Sequence, residues 1–466
     1  MFHKRILTRR DKFLLLSLIP VYFIVCGFIL QPFSEIWPGI ATLIKEPDFL
    51  ITDYFVVGGV GAAFLNAGVL TLLSIALIYF LDMEMDGHTI TSACLMFGFS
   101  LFGKNLFNIW AIMLGIWLYA KYHKTHMSHY VYVGLYGTSL SPIITQLMHI
   151  GDLPVAARFF LALTAGITIG FLLPPLAAQV HHAHQGYSLY NVGFAGGIIA
   201  TVIVSLLKSF GITVESRLIW YTGSDFLFFT ILSILFLGMA AGAFYFGGRG
   251  VVEEYSKILH SSGHGGFGLP ERQRRSATVL NMAVNGFMAT LLVLIAGGDL
   301  NGPTIGGIFT IVGFSSTGKH IRNIFPIMAG VYLAGLTKRW NISDPSPMLA
   351  FLFSTTLAPI SGEFGWLAGL VAGFLHSSVA LNVGIVYGGM NLYNNASPEE
   401  WWPFSWFPSS SLSGTEERGQ KRRRLWNRAS FCHFLFIFCT GPDRRRLLPS
   451  RACKAGRRVA ASLAFL

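Results

Sequence analysis

Residues 98–104 have the sequence Gly-Phe-Ser-Leu-Phe-Gly-Lys, and 215 positions later residues 313–319 have the sequence Gly-Phe-Ser-Ser-Thr-Gly-Lys. The same spacing relates further pairs on either side, among them Leu65-Asn66 with Leu280-Asn281, Asp86-Gly87 with Asn301-Gly302, and Asn108-Ile109 with Asn323-Ile324. After small gaps, Leu189-Tyr190-Asn191 matches Leu392-Tyr393-Asn394. One spacing shared by several motifs indicates an internal duplication.

The composition is that of a membrane protein. Of the 466 residues 53% are hydrophobic and 12% are charged, and the mean hydropathy is +0.56. Soluble domains carry roughly 25% charged residues, so the composition argues strongly against a soluble globular enzyme. The 51 Gly and 40 Phe are typical of membrane helices, because Gly lets backbones approach closely. We therefore expect an all-α, polytopic integral membrane protein.

Apolar runs along the chain predict roughly 10–12 membrane segments, since a crossing helix needs about 20 apolar residues. The first run, 13–33, follows a basic flank and predicts an anchor helix with a cytoplasmic N-terminus. Two adjacent pairs of runs are too short to cross singly, at 89–102 with 106–120 and at 304–314 with 324–336. These pairs predict two re-entrant or broken helices. Non-helical backbone of this kind occurs at membrane depth only where it is buried in protein or lines a cavity.

The repeats set the expected boundaries. They are an N-terminal anchor helix and outer interfacial segment (1–53), membrane repeat 1 (54–212), a linking helix with a polar basic linker (213–275), membrane repeat 2 (276–395) and a tail (396–466). The orientation of the repeats stays open at this point. Five crossings between the repeat starts favour inverted repeats, whereas basic pairs at matching positions, His123-Lys124 and Lys338-Arg339, favour parallel ones.

The tail 396–466 has the character of out-of-frame translation. It carries 13 Lys/Arg and 5 Asp/Glu, which is +8 of the net charge of +12. Repeat 1 continues after Asn191 with Val-Gly-Phe-Ala-Gly-Gly, whereas repeat 2 breaks off at Ala396. One added G before codon 396 lets the following codons encode Gly-Phe-Ala-Gly-Gly again. We therefore predict a missing base; the alternative is a genuine basic tail that binds anionic lipid.

The candidate site lies at the two repeated motifs. Both fit G-x-x-x-x-G-K, but Asn105 and His320 follow where a phosphate loop needs Ser or Thr, and the surroundings are membrane helix. A glycine-permitted break beside a lysine exposes backbone N–H groups and can bind an anionic or strongly polar solute. The alternative is a tight turn whose lysine reaches the interface. The predicted solute-binding residues are Lys104, Lys319, Asp86, Asn301, Asn191 and Asn394; asparagines such as these, and Asn66 with Asn281, can instead join helices.

No catalytic, cofactor or metal site is predicted. The histidines at 123, 126 and 129 and at 181, 182 and 184 have no carboxylate or thiolate beside them and are assigned to the interface, and no hydrolytic grouping appears. The favoured function is a transporter or channel for a small polar or anionic solute. A membrane-embedded enzyme acting on a lipid or lipid-linked substrate, or a non-transporting scaffold, are the alternatives. Expected partners are the bilayer and the solute but no nucleic acid, and a homo-oligomer stays open.

The duplicated G-F-S-x-x-G-K block and the Leu-Tyr-Asn-x-Gly-Phe-Ala-Gly-Gly signature resemble a bacterial membrane family known as domain of unknown function 1576, with two copies per chain. The resemblance covers about residues 13–395 and departs at Ala396. It implies a multi-pass protein of the bacterial inner membrane and brings no established substrate or catalytic residue.

Overall fold

The computed structural model describes residues 8–48, 51–151, 153–212, 217–265, 271–384 and 388–393. Asn394 and the tail 396–466 lie outside these residues. The helices of the first half are α1 (Arg9–Leu30), α2 (Phe33–Lys45), α3 (Tyr54–Val57), α4 (Val60–Phe80), α5 (Gly87–Phe99), α6 (Trp110–Tyr122), α7 (Val131–Gly137), α8 (Ser141–Met148), α9 (Val155–His184) and α10 (Asn191–Ser209). Those of the second half are α11 (Asp225–Gly247), α12 (Gly250–Leu259), α13 (Glu271–Ile295), α14 (Gly302–Phe314), α15 (Ile321–Thr337), α16 (Pro345–Phe353), α17 (Ala358–Phe364) and α18 (Trp366–Val383). Strands β1 (Ile51–Thr52) and β2 (Leu218–Ile219) form a short parallel pair.

The protein is an all-α, polytopic membrane protein, as predicted. Within the described ranges, seven helices are long and apolar enough to cross a membrane: α1, α4, α9, α10, α11, the part of α13 from Arg275 to Ile295, and α18. Many large apolar side chains on these helices are exposed, such as Ile29 at 76% and Leu237 at 63%. Lipid rather than water is the solvent that suits such a surface.

The two faces of the bundle are defined by contacts between helix ends. The N-terminal face holds the start of α1 and the end of α4, where Arg9 forms an ion pair with Asp82 at 3.1 Å. The opposite face holds the β1–β2 pair, where Asp53 N donates to Ile219 O at 3.1 Å. Asn301 lies on that face as well, since its side-chain amide donates to Tyr221 O at 3.0 Å.

The two short-segment pairs form helix–tip–helix hairpins; whether they are re-entrant or broken helices in a membrane stays a prediction. Hairpin 1 is α5, its tip 100–109 and α6. Both ends of hairpin 1 lie at the N-terminal face, because residues at the start of α7 contact each of them. At the first end Tyr132 Oη donates to Asp86 Oδ1 at 3.1 Å. At the second end the rings of Tyr119 and Tyr130 lie 5.1 Å apart. Hairpin 2 is α14, its tip 315–320 and α15, and it begins at Asn301 on the opposite face.

Two further crossings are interrupted helices. A 3-10 turn at Thr138–Leu140 joins α7 to α8, and a second at Ser354–Leu357 joins α16 to α17. The α7–α8 pair passes from Tyr132 near Asp86 on the N-terminal face to Thr145, whose hydroxyl donates to Asp48 Oδ2 at 2.9 Å on the opposite face. The described residues thus contain seven helices long enough to cross a membrane, two hairpins and two interrupted pairs; the number of roughly 10–12 membrane segments stays a prediction.

The repeats are inverted, which the packing of α5 on α14 establishes. A Cβ built on Gly98, late in α5, would come 2.8 Å from the carbonyl oxygen of Gly306, early in α14. The reciprocal contact joins Gly313, late in α14, to Thr91, early in α5, whose hydroxyl donates to Gly313 O at 3.0 Å. Gly98 matches Gly313 and Thr91 matches Gly306 in the repeat. The two helices therefore run antiparallel about a two-fold axis in the membrane plane, as in many transporters.

The symmetry extends to the helices before each repeat motif. Helices α1 and α2 pack on α4, and α11 and α12 pack on α13 in the same way. Later in each half α6 crosses α9 where Gly115 meets Gly170, and α15 crosses α18 where Gly330 meets the backbone of Leu370 and Gly373 meets Ile327. Small residues at these crossings permit the close backbone approach that membrane helices use.

Near the two-fold axis each repeat donates one backbone hydrogen bond to the other. Leu189 N, just before α10, donates to Thr356 O of repeat 2 at 3.1 Å. Leu392 N, at the matching place in repeat 2, donates to Ser139 O of repeat 1, also at 3.1 Å. Each repeat thus supplies a hydrogen bond to the interrupted crossing of the other.

Candidate solute-binding site between the repeats

Each hairpin tip is held by an asparagine from a long helix. Asn66 Nδ2, in α4, donates to Ser100 O at 2.8 Å and to Lys104 O at 2.9 Å. Asn281 Nδ2, in α13, donates to Ser315 O at 2.8 Å and to Lys319 O at 2.7 Å. Both asparagines thus satisfy carbonyl groups that a broken helix frees. Of the two roles considered for these asparagines, solute binding and the joining of helices, the contacts support the joining of helices.

The backbone N–H groups beside the lysines are not available to a solute, contrary to expectation. Lys104 N donates to Phe99 O at 3.0 Å and Lys319 N to Phe314 O at 3.1 Å. The next N–H groups, of Asn105 and His320, each donate at 2.9 Å to the side-chain oxygen of an asparagine three residues on. These turns close on themselves because Asn side chains readily bond nearby backbone. The ammonium groups are what each tip offers a ligand.

Lys319 is fully buried and contacts both repeats. Its Nζ donates to the hydroxyl of Thr355 at 2.7 Å and to the phenolic oxygen of Tyr190, in repeat 1, at 2.5 Å. The ammonium also lies 4.4 Å from the centre of the Tyr190 ring and 5.2 Å from that of Phe314. These neighbours are neutral, and aromatic faces attract a cation only weakly compared with a counter-ion.

Lys104, the two-fold counterpart, is also fully buried but stays within its own repeat. Its Nζ donates to Leu135 O at 3.2 Å, lies 3.5 Å from the sulfur of Met96 and is 5.1 Å from the centre of the Phe99 ring. The counterparts of Tyr190 and Thr355 would be Tyr393 and Thr138. No hydrogen bond from Lys104 to either is found in this part of the structure, so the two half-sites differ.

Four aromatic rings, two from each repeat, form a chain between the two lysines. Phe99 lies 4.9 Å from Tyr393, Tyr393 lies 5.2 Å from Tyr190, and Tyr190 lies 4.8 Å from Phe314, measured between ring centres. Phe99 touches Lys104 at one end of this chain of rings, and Phe314 touches Lys319 at the other. One lysine therefore lies at each end of this chain of rings.

Neither buried lysine has a carboxylate partner among the described residues. The ion pairs found there are Arg9–Asp82, Lys12–Glu84, Arg217–Glu46 and Lys257–Glu253. All four involve exposed or partly exposed side chains, whereas Lys104 and Lys319 are both 0% exposed. An isolated buried charge is costly, so each lysine is stabilised either as the neutral amine or as an ammonium group with an anion bound beside it.

Asp86 and Asn301 cap helices. Asp86 Oδ1 accepts from Thr89 N at 2.8 Å at the start of α5, and Asn301 Oδ1 accepts from Thr304 N at 3.1 Å at the start of α14. Neither forms a hydrogen bond or ion pair with a lysine in the described ranges. N-capping accounts for a polar residue at both positions, and a role in solute binding stays a prediction.

Asn191 lies next to the site. Its Oδ1 pairs with His184 Nε2 at 2.9 Å, and its Nδ2 donates to Ala177 O at 3.0 Å. The side chain thereby fixes the start of α10 on α9 and holds the preceding Tyr190 in position. Asn394, its counterpart, lies outside the described residues. His123, His126 and His129 are exposed, and no group of three His, Cys, Asp or Glu in the described ranges is placed to hold a metal ion.

The sequence reasoning did not single out Tyr190, Tyr393 or Thr355. A signal was present for the tyrosines, because both belong to the repeated Leu-Tyr-Asn motif directly before the predicted Asn191 and Asn394. Thr355 had a weaker signal: it lies two positions before Leu357-Ala358-Pro359-Ile360, just as Thr138 lies two positions before the matching Leu140-Ser141-Pro142-Ile143 of repeat 1.

The comparisons with known proteins identify one family. A family model described as "Protein of unknown function (DUF1576)" matches residues 33–209 and 249–396. The two matches begin at corresponding places, at the start of α2 and immediately before α12, and the second ends at residue 396. No curated protein and no solved structure matches the chain.

Proposed function

The chain belongs to the DUF1576 family of proteins of unknown function, and from that premise we propose that this multi-pass membrane protein transports a small anionic solute through the interface between its inverted repeats. The observation that carries the proposal is the pair of fully buried lysines, Lys104 and Lys319, with no carboxylate partner among the described residues. A mobile anion is the counter-charge that such a pair lacks.

The position of the lysines supports transport over static binding. Both stand at breaks in membrane segments, near the two-fold axis that relates the repeats. Transporters with inverted repeats commonly bind substrate at discontinuous helices between the repeats. A buried membrane charge that served packing alone would be expected to pair with an opposite charge.

The difference between the half-sites supports a mechanism with two states. Lys319 is engaged by Tyr190 and Thr355, whereas Lys104 is held by Leu135 O and Met96. In inverted repeats the second state is obtained when the repeats exchange conformations. In that state Lys104 would be engaged by Tyr393 and Thr138, and the anion would be released to the other face.

The orientation and location also belong to the proposal. The basic flank before α1, including Arg9 and Arg10, favours a cytoplasmic N-terminal face, which makes the Asp53 face the outer one. The family resemblance favours the bacterial inner membrane. Cysteine labelling at exposed Lys124 and at exposed Arg339 in intact cells, with a membrane-impermeant reagent, should modify only the second position.

The test of transport uses purified full-length protein in liposomes, both as the chain stands and with the reading frame restored at codon 396. Uptake is measured for inorganic phosphate, sulfate and small mono- and dicarboxylates, together with the shift that each anion produces in the melting temperature. We expect saturable uptake of at least one anion, lost in Lys319→Gln and in Lys104→Gln.

The matched control is Lys338→Gln. Lys338 is a partly buried lysine of repeat 2 that donates to Phe374 O and to Ser377 and Ser378, away from the central rings. This variant should keep uptake. The proposal is overturned if neither form of the chain moves or binds any of these anions, or if Lys319→Gln behaves as wild type.

A further inference from the structure

A further buried ionisable group, Asp48, follows α2 and contacts the tip of hairpin 1 through Asn108. Asp48 is buried, with 2% of its surface exposed. Oδ1 accepts from the hydroxyl of Tyr54 at 2.9 Å, and Oδ2 accepts from the hydroxyl of Thr145 at 2.9 Å and from Asn108 Nδ2 at 3.2 Å. Three separate segments of the chain therefore meet at one carboxyl group.

All three donors to Asp48 are neutral. The charged and titratable groups of the surrounding elements are Lys45 and Glu46 at the end of α2, Arg217 bound to Glu46, Asp53 and Tyr54 at the start of α3, Lys104 of hairpin 1, and His149 at the end of α8. None of the bases forms an ion pair with Asp48 in the described ranges: Arg217 pairs with Glu46, Lys104 points to Leu135 O, and the His149 ring bonds Thr145 O.

The neutral form of Asp48 suits this environment. A protonated carboxyl has an O–H to donate, and the hydroxyls of Tyr54 and Thr145 can accept as well as donate. The group therefore remains hydrogen-bonded when it gains a proton. A carboxylate in the same place has no positive partner, which is unfavourable in a buried position.

The pKa of Asp48 agrees with this geometry. Burial raises the pKa from the ordinary value of 3.8 to about 7, although the hydrogen bonds from Thr145, Tyr54 and Asn108 lower it; the nearby Glu46 carboxylate adds a smaller increase. Exposure of the Asp48 carboxyl group to water removes the largest of these causes. The open state would therefore release the proton near neutral pH.

Only one of the two repeats has this group. The position 215 residues after Asp48 is Gly263, which packs against the tip of hairpin 2: a Cβ built there would come 2.2 Å from Gly318 O and 2.7 Å from Asn323 Nδ2. Asn323 is the counterpart of Asn108. The carboxyl group thus breaks the two-fold symmetry and is present on the opposite face alone.

We propose that Asp48 is a proton-binding site. In the closed state the proton is bound and Asp48 keeps its hydrogen bonds to Asn108 and Thr145; in the open state the proton is released and these bonds are broken. Because hairpin 1 carries Lys104, a proton exchanged with the opposite face becomes the coupling ion of transport. This last step rests on the proposed function; proton binding and the opening at Asp48 do not.

The sign of the pH effect follows from linkage. The closed state binds a proton more tightly than the open state, so the opening constant rises with pH, by up to about tenfold for each pH unit between about 4 and 7, and levels off above about 7. This is the opposite of what a carboxylate stabilised by a cation would show.

The test is hydrogen–deuterium exchange of the purified full chain in detergent, followed at peptides covering 43–58 and 100–110 between about pH 5 and pH 9 and corrected for intrinsic rates. We expect opening to increase toward neutral pH in wild type. Asp48→Asn, which is neutral throughout, should remain closed and independent of pH. Glu46→Gln, which removes the neighbouring carboxylate, should keep the wild-type rise.

A second measurement does not depend on how Asp48→Asn folds. Infrared spectra of wild type should show a protonated carboxyl band that disappears near neutral pH, and the band should be reduced in the variant. The proposal is wrong if wild-type exchange at both peptides is independent of pH, or if sodium in place of choline restores protection at high pH. The second result would identify sodium as the bound ion. Neither readout requires transport, so the failure of one proposal is distinguishable from the failure of the other.

Discussion

The ammonium group of Lys319 in repeat 2 donates to the phenolic oxygen of Tyr190 in repeat 1, whereas the equivalent Lys104 donates to Leu135 O within its own repeat. Leaving a buried hydrogen-bonding group without its partner costs roughly 1–3 kcal/mol. This bond therefore favours the state with the half-site of Lys319 engaged. It also gives the two tyrosines of the repeat motif different roles in that state.

Tyr190→Phe should destabilise the protein by about 2 kcal/mol, because it removes the bond to Lys319 and leaves the packing of the ring intact. Tyr393→Phe is the matched control, as its hydroxyl forms no corresponding bond to Lys104, and it should leave stability nearly unchanged. Thermal melting in detergent compares the two variants. Equal losses would contradict the assigned asymmetry.

Asn66→Ala should destabilise more than Asn281→Ala. Each change leaves two tip carbonyl groups without their amide donor, at a cost of about 1–3 kcal/mol per buried group. In repeat 2 the neighbouring Asn285 already donates to Ser315 Oγ at 2.7 Å and to Lys319 O at 3.3 Å, whereas Leu70 occupies the matching place in repeat 1. Unfolding in denaturant measures the difference, and the reverse order would show that Asn285 does not compensate.

Gly98→Val should disrupt the interface between the repeats. A Cβ at Gly98 already comes 2.8 Å from Gly306 O, and overpacking of this kind costs roughly 1–3 kcal/mol. Gly238→Val is the control, because a Cβ built on Gly238 in α11 meets nothing within 4 Å. The melting temperature should fall for the first variant and hold for the second; equal behaviour would show that α5 and α14 do not pack closely.

Stability should fall as pH rises from about 4 to 7. Burial raises the pKa of Asp53 to about 7 from 3.8, while its bonds from the backbone of Phe55, Tyr221 and Gly302 lower it. Folding therefore retains a proton that the unfolded chain releases, so the contribution is complete below about 3.8 and is lost by about 7. Asp53→Asn should reduce the slope, by at most 1.4 kcal/mol per pH unit. Melting curves across this range give the slope, and an unchanged slope would count against a titrating Asp53.

Resequencing across the codons for 393–404 should reveal one additional base. In repeat 1 the structure shows why glycine is needed in the Gly-Phe-Ala-Gly-Gly motif: Gly193 lies against the ring of Tyr393, with a built Cβ 2.7 Å from Cγ. The restored chain should melt at a higher temperature than the present one, and a confirmed reading frame with no gain on restoration would refute the missing base.

The hairpins and their lysines could be predicted because their signals are local. A glycine-flanked break and a charge inside an apolar run are both visible along the chain, and the repeat shows each twice. The relative orientation of the repeats could not be decided from the sequence, since Lys338-Arg339 resembles the basic pair His123-Lys124 at the matching position of repeat 1. Hairpin 2 begins on the opposite face, and the pair therefore lies there despite its charge.

Asp48 had no such signal. Its partners lie 6, 60 and 97 positions away, so the sequence shows a single carboxylate in a mildly acidic loop. Only the position of Tyr190 and Tyr393 in the repeat could be read from the sequence. Their role could not, because an aromatic residue beside a membrane segment is commonly interfacial. Tertiary contact with the other repeat decides their role.

The two backbone hydrogen bonds, Leu189 N to Thr356 O and Leu392 N to Ser139 O, join each half of the chain to the interrupted helix pair of the other half. Each half standing alone lacks these bonds, so the two halves depend on each other for stability. Coexpressed halves, 1–212 and 213–466, should reassemble, whereas either half alone should not form a stable protein.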